Sequence, residues 1–172
     1  MTTKTMVRVI LAPRKRQVVE GLADGSTLAT VARNLMIRQG TASGYLSVAK
    51  RKLHGVSENN AALAVAYASQ SITRPELLDP ETLNLPREQR DLVPLVARGM
   101  TVAQMVTELK PSPRTRPVRP EAAGTGGPAV AIIRRNVGEL TASLQARNRA
   151  HLITRAWQYQ ILTADQVTAW LR

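Results

Sequence analysis

The chain has 172 residues, 44% of them hydrophobic, enough to bury a core in one ordinary domain or two small ones. Its 24 Lys and Arg against 12 Asp and Glu leave a net charge of +12, a field that draws polyanions, nucleic acid first and anionic membrane surface second. The absence of cysteine excludes disulfides and thiolate metal sites, and the apolar run in MTTKTMVRVILAP is too short for a signal peptide or a membrane span, so a cytoplasmic, nucleoid-associated protein without a membrane partner is expected.

Taken along the chain, Val18, Val19, Leu22 and Ala23 recur at helical spacing and predict a first helix from Arg14 to Ala23, stopped by Gly25. Thr27 is placed to cap a second, with Val31, Ala32 and Leu35 as its buried stripe. Met36 to Arg38 is long enough only for a turn. From Gln39 to Leu53 the period resumes through Ala42, Leu46, Ala49 and Leu53, and Ser57 stands where it caps a fourth helix reaching about Gln70. Residues 71–84, with Pro75 and Pro80, read as a linker with room for one helical turn at Pro75–Leu78.

Beyond the linker the sequence repeats. A shift of 74 sets Leu11 on Leu85, Ala23 on Ala97, Gly25 on Gly99, Thr27 on Thr101, Val31 on Met105 and Leu35 on Leu109, and a shift of 89 sets Asn59 on Asn148, Ala61 on Ala150 and Leu63 on Leu152. Between the two matches lies a Pro/Arg/Gly-rich insertion, 110–128, expected to be flexible. Helical patterning returns at Ala129–Leu144 and Asn148–Leu162, and Thr163 caps a last helix to Leu171. The expected fold class is therefore all-α: two tandem helix-turn-helix modules of about four short helices each, over 1–70 and 85–172.

In a helix-turn-helix the second helix of the pair enters the major groove. With one face of helix 39–53 apolar, Gln39, Thr41, Ser43, Gly44, Ser47, Lys50 and Arg51 are left for a partner. The run Lys50–Lys52 suits phosphates rather than base edges, and equally suits a plain solvated face. Only five aromatic residues are available and Phe is absent, which disfavours stacking on single strands and favours duplex DNA as partner.

The stretch from Leu11 to Ala68, with its Gly25 stop, Gly40-Thr41 pair and Lys52-Leu53 end, resembles the DNA-binding domain of LuxR/NarL-type regulators; NRAHLITRAW in the second copy resembles it less closely. The resemblance implies a four-helix unit that reads the major groove, with Thr27 and Tyr45 among the residues at DNA and pairing through the fourth helix. It points to a bacterial transcription regulator. Ala62, Val65 and Ala66 are then the candidate pairing face, toward a homodimer partner or toward the other module. Ala12 and Arg38 stand where the family has capping hydroxyls, so both helix starts are expected to be weaker by about 1 kcal/mol. Ser43 takes the place of a basic residue and Tyr45 that of a His.

In the second copy Arg134 and Arg135 begin the corresponding helix, beside Ala131, Ile132 and Ile133, which read as core. Arg114, Arg116 and Arg119 suit a phosphate-contacting arm or an inert linker. Neither His54 nor His151 has ligand companions, and no nucleophile–base pattern or phosphate-cradling loop is present, so no metal, no cofactor and no enzyme activity are expected. The rival classes are a helical interaction module for a sigma factor, polymerase or another regulator, and a non-specific nucleoid binder.

Overall fold

The computed structural model describes residues 6–109 and 127–171. Within them all regular structure is helical: α1 (Pro13–Ala23), α2 (Leu28–Asn34), α3 (Gln39–Lys52), α4 (Asn59–Ala68), α5 (Arg87–Ala97), α6 (Val102–Glu108), α7 (Pro128–Ser143), α8 (Arg149–Gln158) and α9 (Ala164–Trp170), plus a single 3₁₀ turn at Pro80–Thr82. Pro13 and Pro128 sit in the first turns of α1 and α7, where the missing N–H costs nothing. Pro128 thus belongs to a helix, not to the insertion, and its neighbour Gly127 is the cap; residues 110–126 lie outside the described residues.

The cap assignments divide by chemistry. Thr27, Thr101 and Thr163 each accept from the backbone N–H three residues on, the last two in full capping boxes with Gln104 and Gln166. Ala12 and Arg38 provide no side-chain cap. The N-cap position of the fourth helix is Glu58, which makes no side-chain cap bond, rather than Ser57, whose carbonyl is occupied by the Lys50 ammonium at 2.8 Å.

Adding 74 to the bounds of α1 and α2 gives those of α5 and α6, and adding 90 to those of α4 gives those of α8. The shift of 89 is therefore one residue short. At 90, Leu63 falls on Ile153, Ala66 on Ala156, Tyr67 on Trp157 and Ile72 on Leu162, all buried, and left-handed Gln70 falls on left-handed Gln160. Where a helix ends and what it buries fix the match more firmly than three identical letters do.

The buried side chains form one continuous cluster spanning both halves. Its centre is α4, of which Ala61–Ala68 are all buried and which packs on α1, α3, α5, α8 and α9. The segment 71–84 is docked: Ser71 and Ile72 are buried, Leu78 N donates to Gln158 O at 2.8 Å, and Arg74 bonds the Tyr67 carbonyl while lying 5.4 Å over the Trp157 ring. Its one helical turn is at Pro80–Thr82, after the stretch Pro75–Leu78, which forms no helical turn.

Gly25 and Gly99 show why the halves fit closely. Both are left-handed (φ +90° and +76°), as the turn after α1 and α5 requires. A Cβ at Gly25 would stand 3.1 Å from Arg147 Cβ, and one at Gly99 2.5 Å from Glu58 Cβ. Each glycine therefore lets the start of the other half's fourth helix approach.

Candidate nucleic-acid interface

The outer face of α3 is defined by what its inner face buries. Ala42, Leu46, Ala49 and the C-cap Leu53 are buried at helical spacing, which turns Gln39, Gly40, Thr41, Ser43, Gly44, Ser47, Arg51 and Lys52 outward, all exposed. No atom lies within 4 Å of a Cβ built at Gly40 or Gly44, so this face is small and unobstructed. The Ser47 hydroxyl donates to Ser43 O at 3.0 Å, inside the helix.

Three predicted contact residues have partners within the chain. Lys50 is half-buried and its ammonium closes the loop at Ser57, which leaves Arg51 and Lys52 as the exposed cations at the end of α3. Tyr45 is half-buried and packs against the core. Thr27, at the start of α2, has its hydroxyl oxygen 3.2 Å from the Thr30 N–H it caps and 3.0 Å from Thr30 Oγ1.

Between Asp24 and Glu58 the chain holds no acid and five cations: Arg33, Arg38, Lys50, Arg51 and Lys52. Arg33, in the last turn of α2, and Arg38, the N-cap of α3, are exposed beside the turn, where Met36 is also 92% exposed. Neither arginine stands out in the sequence by motif or spacing. The signal was available as the missing acids rather than as a basic run, since the cations are spread over twenty positions.

In the second half Arg134 and Arg135 are exposed on α7. Arg135 pairs with Glu139 at 2.8 Å, and that bond holds its guanidinium above its ordinary pKa. Of the apolar residues beside them only Ile133 is core; Ala131 is exposed and Ile132 is 58% exposed, because the helix turns them away from α5 and α6. Arg114, Arg116 and Arg119 lie outside the described residues.

The candidate pairing residues Ala62, Val65 and Ala66 are buried within the chain on α4, the helix that forms the seam with α8 and α9. Neighbouring polar groups close that seam. Asn148 Nδ2 donates to Gly25 O at 2.8 Å, Thr154 Oγ1 to Ala23 O at 2.6 Å, and Asn60 Nδ2 to Val96 O at 3.3 Å, so each half's fourth helix satisfies carbonyls at the end of the other's first.

Beside it a cleft of about 460 Å³ is lined by Glu20, Asp24, Tyr67, His151, Thr154 and Arg155 among others. Most of its polar atoms are already engaged: Glu20 with Arg16 and Thr73 N, and Arg155 with Leu144 O. Hydrogen bonding from Ser26, aided by Arg147 and His151, holds the Asp24 carboxyl below its ordinary range. Among the described residues no three His, Cys, Asp or Glu side chains group as a metal site would require, and no helix is long and apolar enough to cross a membrane.

Comparison with protein-family models finds no match, and comparisons with curated proteins and with solved structures find none either.

Proposed function

We propose that the chain binds duplex DNA as a bacterial transcription regulator, laying the outer face of α3 in the major groove. The observation that carries this is the acid-free stretch from residue 25 to residue 57, which sets five cations around a short helix pair whose second member has a small, polar outer face. Phosphates attract and orient such a surface, and a groove wide enough for a helix accepts it closely where the side chains are Gly, Ser and Thr. Arg33 and Arg38 at the turn and Arg51 and Lys52 at the far end of α3 then hold the two flanking backbones, while Gln39, Thr41 and Ser43 face base edges. The resemblance to LuxR/NarL-type domains over 11–68 supports the same orientation.

The test is a salt titration of binding to duplex DNA by the whole chain and by Arg51→Ala/Lys52→Ala. Removing one phosphate-neutralising cation reduces the slope of log K against log salt by about 0.9, so the double variant is expected to flatten it by roughly 2 and to weaken all sequences alike. An unchanged slope would move the DNA surface elsewhere. No binding by the parent chain at low salt would instead favour a protein-interaction module, and steep binding without sequence preference a nucleoid binder.

A further inference from the structure

The stripes buried by α3 and α7 share one register. Ala42, Leu46, Ala49 and Leu53 on the first correspond to Ile133, Val137, Leu140 and Leu144 on the second, each 91 positions later. The next residues, His54 and Gln145, both take left-handed φ, 61° and 53°. The partners correspond too: α3 packs on α1 and α2, α7 on α5 and α6. On this register Arg134 and Arg135 occupy the positions of Ser43 and Gly44, so the same outward face is small and neutral on one helix and carries guanidinium on the other. Arg134 makes no ion pair among the described residues, whereas Arg135 is held by Glu139, itself hydrogen-bonded by Gln89 at 3.2 Å.

The halves also face each other reciprocally. Helix α4 packs on α8, α1 on α8 and α5 on α4. Tyr67 and Trp157, equivalent at the shift of 90, stack on one another with centroids 5.5 Å apart. Equivalent residues that touch each other mark the axis of an isologous contact, here made inside one chain rather than between two.

We infer that α7 is a second reading helix, so that one chain binds one asymmetric duplex site with two unlike half-sites, the half under α7 containing a guanine read by Arg134. The inference rests on the duplex-binding function proposed above. A guanidinium donates two parallel hydrogen bonds to guanine O6 and N7, the commonest specific contact in the major groove, and neither Ser43 nor Gly44 has that donor pair. Because the two helices share one folded core, binding by one raises the effective concentration of the other at its half-site.

The experiment selects duplexes from a random library with the full-length chain at stated salt, then measures stoichiometry by sedimentation and protection by hydroxyl-radical footprinting. The expected site is non-palindromic, in two parts, and bound by one chain. Arg134→Ala should lose about 5- to 150-fold of the preference at the guanine and none in the other half. Arg134→Lys, which keeps the charge but not the planar fork, should lose part of that preference while retaining the salt slope; both variants should melt with the parent, since Arg134 is exposed. A palindrome bound by two chains, a single half-site, or parental preference in Arg134→Ala would overturn the role of α7 and leave that of α3 intact. Failure to enrich any duplex would overturn the proposed function itself, and this inference with it.

Discussion

The hydroxyl of Thr154 donates to Ala23 O at 2.6 Å and lies 3.0 Å from the Tyr67 hydroxyl, so one short side chain serves the end of α1 and the phenol of α4 together. Thr154→Val keeps the shape and strands both partners at the seam, and should cost about 1–3 kcal/mol in denaturant unfolding; an unchanged midpoint would mean that water replaces the bonds. His151 makes the same seam sensitive to pH. Its Nδ1 accepts from Arg147 N at 3.1 Å, and burial, then the charges of Arg155 and Arg147, hold the imidazole below its ordinary value of 6.5 against the opposing pull of Asp24. The folded chain therefore takes up this proton at lower pH than the unfolded chain does. The contribution is present above 6.5 and is lost as pH falls through the lower folded value. Melting temperatures should decline across that window, and less steeply in His151→Asn, whose amide oxygen can accept the same bond without titrating; equal slopes in the two proteins would assign the decline to other groups.

Glycines separate stability from recognition at the level of single elements. Gly44 lies inside α3 with open space around it, so Gly44→Ala should stabilise the fold by about 0.5–1 kcal/mol, while a methyl group on the proposed reading face should weaken DNA binding. Parallel changes in both quantities, or neither, would place Gly44 off the interface. Gly99→Ala should have the opposite effect on stability, more than about 1 kcal/mol of loss, since its φ is +76° and the new Cβ would press on Glu58. The elements themselves were largely legible. Apolar period, the Thr27 cap and the Gly25 stop place every helix of the first half within a residue or two, because those signals are local. Ser57 misled because its carbonyl, not its hydroxyl, is used, by a lysine seven residues back. The apolar look of Ile132 misled because only the helix's packing against α5 and α6 decides which of two adjacent isoleucines is buried. The bonds that Asn60, Asn148 and Thr154 make across the seam gave no sign at all, since their partners lie 36 to 131 residues away.

At the scale of the whole molecule, the sequence suggests two modules joined by a linker, whereas the side chains make one core with α4 in the middle. Helix α4 is Ala-rich and carries no charge in its last eight residues, a composition that suits a helix covered on every side. Thermal unfolding should therefore follow one cooperative transition, coincident by far-ultraviolet circular dichroism and by the fluorescence of Trp157 and Trp170. A fragment ending at residue 84 would expose the surface of α4 that α5, α8 and α9 cover, and should not unfold cooperatively; a sharp transition in that fragment would show that the first half is self-sufficient. The function proposed for this core is to present a basic, groove-fitting helix to duplex DNA. Its most direct test is enrichment of genomic duplex fragments by the purified full-length chain at about physiological salt, where non-specific attraction is weakened. A recurring sequence is the predicted result, and a bound fraction no different in sequence from the input would contradict it.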